Sequence, residues 1–240
     1  MAVVVPTYNE LVNLPGIIQA IHLYLPTAEI LVVDDDSPDG TGNWCQQQAQ
    51  EDSHLRCLRR SGGKGYGFSI LDGLRAALAA GYDIVATMDA DFSHPPELLP
   101  ALVGRLQAIA DDGCDVAIGS RYTTGGRIEG WPLRRRLSSL AVNWLARSAL
   151  TLKCRDCSGG YRAYRTSSLR RIDLESIESR GYSLLQELLW RLQCSGAKIE
   201  EVPIVFRDRE LGKSKLNASE AFRSIKAILR LGVQNWFGKV

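Results

Sequence analysis

Short apolar runs alternate with amphipathic stretches along the first half of the chain. Runs rich in Val, Ile and Leu predict buried strands over residues 2–5, 29–33, 55–58, 83–88 and 115–119. Apolar residues at helical spacing predict helices between them, over residues 11–25, 42–51, 68–80 and 96–109. Such an alternation predicts an α/β fold whose central sheet is mostly parallel and flanked by helices.

The second half of the chain has a less regular pattern. It predicts helices over residues 133–152, 182–194 and 218–237, and strands over residues 160–165 and 198–206. The sequence shows no internal repeat, low-complexity tract or linker. We therefore expect one domain that ends in a short helical tail.

The composition is that of a globular protein. The chain has 240 residues, of which 45% are hydrophobic and 23% charged, and this excludes a disordered or collagen-like chain. Six cysteines are too few for a disulfide scaffold. No apolar run reaches the ~18 residues of a bilayer-spanning helix, and the first ten residues lack the features of a signal peptide. We expect a cytoplasmic protein with reduced thiols.

The formal net charge of +2 conceals a strong asymmetry. Residues 1–120 carry 6 Lys and Arg against 16 Asp and Glu, whereas residues 121–240 carry 23 against 11. Because carboxylates suit a cation and arginines suit phosphate groups, the two halves indicate two binding tasks. The acidic half would repel a polyanion and no nucleic-acid-binding motif is visible, so we expect no nucleic acid partner.

Polar or acidic segments follow three predicted strands, at residues 6–10, 34–40 and 89–91. The carboxyl ends of parallel strands share one edge of a sheet, so these segments are expected to line one cleft. Side chains two apart on a strand lie on one face, about 6.5 Å apart, which lets Asp89 and Asp91 converge on one cation. Hard oxygen ligands suit Mg²⁺ or Mn²⁺. A solvated turn is the alternative interpretation.

The remaining motifs are less specific, with one exception. The glycine loop at residues 62–67 lacks the spacing of a phosphate-binding loop. Cys154 and Cys157 supply half of a zinc site, and three scattered histidines do not favour a histidine-based triad. Arg121 is the exception: it follows the predicted strand 115–119, at the same edge as Asp91, and is a candidate phosphate ligand.

Eight motifs occur in order along the chain. They are VPTYNE (5–10), VDDDSPDGT (33–41), GKGYG (63–67), MDADFSHPP (88–96), GSRY (119–122), EGWPLRRRLSS (129–139), SGGYRAYR (158–165) and EVPIVFRDRELGKSK (201–215). Together they resemble glycosyltransferase family 2, and within it the dolichol-phosphate (polyprenyl-phosphate) mannosyltransferases. The resemblance implies a nucleotide-diphospho-sugar transferase (GT-A, Rossmann-like) fold over residues 1–216. The residue pattern predicts an amphipathic helix after it, over residues 217–240.

The resemblance also implies a reaction: inverting transfer of mannose from GDP-mannose to a polyprenyl (dolichyl) phosphate, giving polyprenyl phosphate β-mannose and GDP. The implied donor-binding residues are Pro6, Tyr8, Glu10, Val33, Asp35, Asp89, Ala90, Asp91, Arg121, Arg209 and Lys215. The implied ligands of the acceptor phosphate are Arg121, Arg135 and Ser139. Asp89 and Asp91 are the implied ligands of Mg²⁺ or Mn²⁺, and Asp91 and Arg121 the implied catalytic residues. Ser93 stands where some members carry a Gln that supplies a third metal ligand.

The residues suit this chemistry independently. A phosphate monoester has a second pKa of about 6, so the acceptor is already an anionic nucleophile at pH 7. No general base is required, which agrees with the scarcity of histidine. Catalysis instead needs a metal and arginines to neutralise the phosphate charges.

A polyprenyl phosphate lies in a bilayer, so the resemblance implies a peripheral position at the cytoplasmic face of a membrane and leaves room for a membrane-anchoring subunit. The predicted helix 218–237 places apolar and aromatic residues on one face and basic residues elsewhere, as interfacial helices do. The predicted helix 133–152 is a second candidate. The alternative is that both helices pack against the sheet or a partner subunit.

Three other functions remain open on the sequence. One is a glucosyl or aminosugar transferase of the same family, which uses a UDP-sugar and a lipid or polysaccharide acceptor. Another is a catalytically inactive lipid-binding or scaffold subunit, against which the intact Asp89, Asp91 and Arg121 argue. The third is a nucleotidyltransferase, which would release pyrophosphate instead of a nucleoside diphosphate.

Overall fold

A computed structural model describes residues 1–61, 65–107, 113–179, 181–208 and 218–238, the last range with side chains from residue 222. Seven strands form the central sheet: β1 (Ala2–Thr7), β2 (Glu29–Asp34), β3 (Leu55–Arg59), β4 (Ile84–Thr87), β5 (Val116–Ser120), β7 (Arg162–Arg165) and β8 (Ile199–Pro203). Their order is β3-β2-β1-β4-β7-β5-β8. Only β7 runs antiparallel to its neighbours in this sheet, which confirms the mostly parallel α/β architecture. Two short strands, β6 (Arg127–Glu129) and β9 (Val205–Arg207), form a separate parallel pair.

Helices cover both faces of the sheet. They are α1 (Leu14–Tyr24), α2 (Thr41–Glu51), α3 (Tyr66–Ala79), α4 (Leu99–Gln107), α5 (Leu133–Leu150), α6 (Thr166–Leu169), α7 (Leu184–Cys194) and α8 (Ala218–Trp236). Single 3₁₀ turns at Pro96–Leu98 and Gly181–Ser183 precede α4 and α7. Within the described ranges, every helix is too short or too polar to cross a bilayer.

The alternation of side chains along the strands builds two cores. Val4 of β1 belongs to the core beneath α3, α5, α7 and α8, while Val3 and Val5 belong to the core beneath α1 and α4. A Cβ at Gly73 of α3 would overlap the Val4 side chain, so glycine is what allows α3 to lie this close to β1. This packing fixes the start of α3 beside the carboxyl ends of β1 and β4.

Several element boundaries differ from the sequence prediction. The strand predicted over 198–206 is two strands, because β8 pairs with β5 and β9 leaves the sheet to pair with β6. The helix predicted over 11–25 begins at Leu14, since residues 11–13 form a turn in which the Asn13 amide donates to the Glu10 carbonyl. The last residues of the helix predicted over 96–109 lie outside the described residues. Neither β6 nor α6 was predicted, because three or four residues are too few to show a period.

Candidate functional site

The ends of β1 and β2 place the predicted nucleotide-binding residues side by side. Pro6 pairs with Val33 in the sheet register, and both are buried. Tyr8 and Glu10 follow β1 and are half-buried, and the Glu10 amide donates to Thr41 Oγ1 at 3.0 Å. The structure thus brings these four residues to one edge of the sheet, as the sequence predicts.

The triple acid run after β2 divides into different environments. Asp34 and Asp35 are buried, whereas Asp36 is exposed. Asp35 accepts hydrogen bonds from Arg60 Nη1 and, at 2.7 Å, from the Gly65 amide. Arg60, which the sequence analysis did not single out, is itself buried. The predicted nucleotide ligand Asp35 is therefore held by a buried ion pair with Arg60 and by the Gly65 amide at the start of α3.

The segment Asp89-Ala90-Asp91 follows β4, next to the end of β1. Asp89 keeps 31% of its side chain exposed, and its Oδ1 accepts a hydrogen bond of 3.0 Å from Tyr66 Oη. Asp91 is buried, and its Oδ1 accepts from both the amide (3.1 Å) and the Oγ (2.6 Å) of Ser93. The two carboxylates are thus part of an ordered turn and not of a freely solvated loop.

The buried side chain of His94 supports this turn from the protein interior. Its Nδ1 accepts a hydrogen bond of 3.1 Å from the Asp89 amide, and its ring stacks on Tyr161 with centroids 5.0 Å apart. Burial lowers the pKa of His94 despite the nearby Asp89 and Asp91 carboxylates, so the imidazole is neutral at pH 7. A neutral ring whose Nδ1 is occupied by a backbone amide orients the turn and is poorly placed as a general base.

The donor set at this turn fits a hard divalent cation. Asp89 and Asp91 supply carboxylate oxygens, and no group of three or more His, Cys, Asp or Glu side chains that could hold a metal occurs among the residues that the structure describes. Mg²⁺ and Mn²⁺ are commonly held by one or two carboxylates, the rest of the shell being water and substrate phosphates. The two carboxylates are therefore compatible with a metal–diphosphate site.

Arg121, directly after β5, is tied into a buried ion pair. Its Nε and Nη2 each donate to a different oxygen of Asp156 at 2.7 Å, and Nη2 also donates to Ser158 Oγ at 2.8 Å. Burial by itself raises the pKa of Asp156, but the Arg121 charge and hydrogen bonds hold that pKa below its usual value. The Asp156 carboxylate therefore offsets much of the positive charge of Arg121. The sequence analysis treated Arg121 as a phosphate ligand without this partner.

Arg135 and Ser139 project from α5 towards Arg121. The Arg135 guanidinium lies 4.0 Å from the centre of the Trp131 ring, and its Nη1 donates to Asp208 Oδ1 at 2.9 Å. Ser139 Oγ accepts a hydrogen bond of 2.7 Å from the Tyr122 hydroxyl. The three predicted ligands of the acceptor phosphate therefore lie in one polar and aromatic cluster.

A cavity of about 600 Å³ connects the acidic turn with this cluster. Its lining includes four predicted residues, namely Asp89, Arg121, Arg135 and Ser139. Other predicted residues lie outside its lining: Pro6, Tyr8, Glu10, Val33, Asp35, Ala90 and Asp91. Arg209 and Lys215 lie outside the described residues. The cavity thus joins the acidic turn to the arginine cluster, while the predicted nucleotide-binding residues lie outside it along the strand ends.

Several residues of the site were missed by the sequence analysis. Tyr66, Trp131, Ser158 and Tyr182 line the cavity, and Asp156 supports it from beneath. Tyr66, Trp131, Ser158 and Asp156 do stand in motifs that the sequence shows, at residues 63–67, 129–139, 158–165 and 154–157. Their position inside those motifs was the available signal, but only the fold shows which side chain each one contacts.

The C-x-x-C segment surrounds Asp156. The Cys154 and Cys157 sulfur atoms lie 3.8 Å apart and both residues are buried. The Cys157 amide donates to Asn143 Oδ1 at 2.7 Å, and the Cys157 carbonyl accepts from Arg162 Nη2 at 2.9 Å. These contacts anchor the loop that presents Asp156 to Arg121.

Two curated relatives are similar to this chain over nearly their whole lengths. The undecaprenyl-phosphate mannosyltransferase of Micrococcus luteus is 41% identical over 236 residues, which are 98% of this chain and 95% of the relative. The polyprenol monophosphomannose synthase of Mycolicibacterium smegmatis is 41% identical over 233 residues, which are 97% of this chain and 86% of the relative.

The fold is shared with solved glycosyltransferase structures of low sequence identity. One is the glucosyl-3-phosphoglycerate synthase of Mycobacterium tuberculosis, in complex with Mn²⁺, UDP-glucose and phosphoglyceric acid. It superimposes with a TM-score of 0.66 at 19% identity and covers 99% of this chain and 79% of that one. This likeness confirms the predicted nucleotide-diphospho-sugar transferase fold.

The family itself follows from the extent of the match. The family model described as glycosyl transferase family 2 matches residues 2–173, from the first strand of the sheet to beyond the arginine–aspartate pair. The matched range contains the acidic turn at the end of β4 and most of the cavity lining. The predicted resemblance is thereby confirmed, and this chain belongs to glycosyl transferase family 2.

Proposed function

We propose that this protein transfers mannose from GDP-mannose to a polyprenyl phosphate, with inversion, giving polyprenyl phosphate β-mannose and GDP. The observation that carries this proposal is the 41% identity, over nearly full length, to two relatives named as enzymes of this kind. The cavity supports it, since it joins a carboxylate turn to an arginine cluster, which is an arrangement for two phosphate groups of different origin.

On the donor side, the proposed nucleotide ligands lie along the ends of β1 and β2, with Asp35 held in place by Arg60. The diphosphate would lie at the turn of Asp89 and Asp91, whose carboxylates would hold Mg²⁺ or Mn²⁺. A bound divalent cation supplies charge stabilisation to the leaving diphosphate. Arg209 and Lys215 are proposed to reach the same phosphates, and their segment lies outside the described residues.

On the acceptor side, Arg121, Arg135 and Ser139 are proposed to bind the polyprenyl phosphate. Each arginine already donates to a carboxylate, Asp156 or Asp208, so each is oriented before the acceptor arrives. The acceptor is a dianion for most of its population at pH 7 and attacks without a base. The arginines align it against a second anionic substrate and reduce the repulsion between them.

A surface beside the cavity suits a membrane. Two apolar stripes are exposed, one on α5 (Leu133, Leu137, Leu140, Trp144) and one on α8 (Phe222, Leu229, Val233, Trp236). The opposite sides of the helices pack together and against the core, where a Cβ at Gly232 of α8 would lie 3.0 Å from Ala149 Cβ of α5. The helices thus pack against the core on one side and keep apolar side chains in solvent on the other.

The charges around these stripes suit anionic lipid. Arg134, Arg136, Arg223 and Lys226 are exposed on the same two helices, and basic residues near a bilayer are each worth about 1 kcal/mol of attraction to anionic lipid. The cavity lining includes residues of both helices, Val142 of α5 and Ser224 of α8. We propose that the stripes lie in the interface at the cytoplasmic face of a membrane, from where the acceptor headgroup enters the cavity.

The proposed reaction is tested with radiolabelled GDP-mannose, a polyprenyl phosphate in detergent, and Mn²⁺ or Mg²⁺. We expect metal-dependent transfer of label into the organic-extractable phase, with GDP as the co-product. UDP-glucose and a UDP-aminosugar serve as matched donors. Label in the lipid phase from a UDP-sugar, and none from GDP-mannose, would refute the mannosyl assignment while leaving the family unchanged.

A further inference from the structure

Tyr66 is a residue of the site that has no part in the proposed function so far. It stands within the glycine loop of the sequence and is the first residue of α3, and its side chain lines the cavity. Its ring stacks on Tyr182, with centroids 4.9 Å apart and an interplanar angle of 16°. Its hydroxyl donates to Asp89 Oδ1 at 3.0 Å.

Two glycines, Gly160 and Gly67, allow close backbone packing around this tyrosine and thereby fix its position. A Cβ at Gly160 would collide with the Tyr66 hydroxyl, so the phenol occupies space that only a glycine leaves open. A Cβ at Gly67 would lie 2.6 Å from the Gly181 carbonyl oxygen, so the start of α3 lies directly against the turn that carries Tyr182. The backbone thus leaves a slot that directs the phenol at the Asp89 carboxylate.

We propose that Tyr66 is a positioning residue for the divalent cation, and that its phenol orients the Asp89 carboxylate as a metal ligand. This inference rests on the proposed function, which assigns the cation to Asp89 and Asp91. The phenol hydroxyl engages Oδ1 and thereby sets the rotation of the carboxylate about its Cβ–Cγ bond. In this orientation the carboxylate would take part in holding the cation.

Two side chains meet the Asp89 carboxylate: the Tyr66 hydroxyl donates to Oδ1, and His94 Nε2 lies 3.9 Å from Oδ2. Asp89 is held at its backbone, through the bond from its amide to His94 Nδ1, but that bond does not orient the carboxylate. Asp91 has its own orienting partner, because Ser93 donates to Asp91 Oδ1 at 2.6 Å. Tyr66 plays the corresponding part for Asp89, because its hydroxyl donates to Asp89 Oδ1 at 3.0 Å. Loss of an outer partner of a metal ligand typically weakens metal binding 10- to 100-fold.

The test is the affinity for Mn²⁺, measured by electron paramagnetic resonance of free Mn²⁺ in the presence of GDP, with no acceptor and no turnover. Tyr66→Phe keeps the ring and its stack on Tyr182 but removes the hydroxyl. We expect about a 10-fold or greater rise in the Mn²⁺ dissociation constant. In transfer assays, we expect a matching rise in the Mn²⁺ concentration for half-maximal rate, with kcat largely recovered at saturating Mn²⁺.

A matched control removes the same group elsewhere. The Tyr82 hydroxyl also donates to a carboxylate, that of Glu29, but at the opposite, amino-terminal edge of the sheet. Tyr82→Phe is expected to leave Mn²⁺ affinity unchanged. A second site variant, Gly160→Ala, displaces the phenol without removing it and is expected to weaken Mn²⁺ binding as Tyr66→Phe does.

The outcomes separate this inference from the proposed function. Wild-type Mn²⁺ affinity in Tyr66→Phe, with the wild-type protein binding Mn²⁺ normally, overturns the positioning role alone. Failure of the wild-type protein to bind Mn²⁺ with GDP overturns the metal assignment and this inference together. An equal loss of affinity in Tyr82→Phe also overturns the inference, since the effect would then be a general result of losing a hydroxyl.

Discussion

The acidic and the basic parts of the site are built in different ways. In the acidic part, Asp35 follows β2, and Asp89 and Asp91 follow β4, and these two strands flank β1 on either side. On the basic side, Arg121 meets Asp156 across 35 residues, and Arg135 meets Asp208 across 73. The acidic side is a property of strand order, while the basic side depends on pairs that only the tertiary fold brings together.

This difference changes what the charge asymmetry means. The positive half of the sequence suggests a surplus of free cations, but in the cavity Arg121 is bound to a buried aspartate. Such a pair contributes less net charge to a phosphate site than an unpaired arginine does. In return, the carboxylate fixes the orientation of the guanidinium. The net charge of each half correctly indicated which part of the site is acidic and which is basic. It did not show which arginines are already paired with a carboxylate.

The largest expected effect comes from breaking the buried pair on the basic side. Asp156→Ala leaves the Arg121 guanidinium buried without its partner, which typically lowers the free energy of unfolding by about 3–5 kcal/mol. Urea-induced unfolding measures this loss. The double variant Arg121→Met, Asp156→Leu is expected to recover most of this stability. Mannose transfer is expected to be absent in it, because the proposed phosphate ligand Arg121 is lost. If Asp156→Ala unfolds at the wild-type urea concentration, the pair is not the structural centre of the basic side.

On the acidic side, we expect Asp91→Ala to abolish transfer while the fold persists, because the proposed metal site loses a ligand. The expected fall in kcat is about 10²- to 10³-fold or more, which is typical of losing one transition-state electrostatic contact. Asp91→Asn is the sharper variant, since its amide oxygen can still accept the bonds from Ser93. Near-normal turnover in both variants would exclude Asp91 from the metal site.

Arg135 tests whether the two sides serve different substrates. Arg135→Ala removes a charged donor to the proposed acceptor phosphate, a contact worth about 1.5–3 kcal/mol. We expect the KM for polyprenyl phosphate to rise about 10- to 100-fold, with the KM for GDP-mannose unchanged. Arg135→Lys is expected to recover only part of this, because an ammonium cannot reproduce the planar stack on Trp131. A rise confined to the donor KM would reverse the assignment.

The smallest effect concerns the apolar stripes outside the cavity. Trp236→Ser removes one exposed side chain, 69% accessible, from the proposed membrane contact. We expect about a tenfold weaker partition onto vesicles of anionic phospholipid, measured by flotation. Leu23→Ser, at a position 72% accessible on α1, is the matched control and should change nothing. Equal flotation of all three proteins would contradict the membrane surface.

Much of the site was predictable because the carboxyl ends of parallel strands all lie at one edge of the sheet. The predicted strand 83–88, followed by Asp89 and Asp91, places the acidic turn at the end of β4, where the structure has it. The same reasoning placed Arg121 at the end of β5. It could not identify Asp156, because that residue lies in an irregular loop whose position depends on Asn143 and Arg162.

The sequence by itself determined the α/β alternation, the family, and the order in which carboxylates reach the edge of the sheet. These follow from local periodicity and from motifs that are contiguous in the chain. The tertiary structure alone decided that β7 enters the sheet antiparallel, that Asp156 pairs with Arg121, and that Tyr66 contacts Asp89. Each of these depends on packing between segments far apart in the chain. Local sequence patterns do not show which distant segments come into contact.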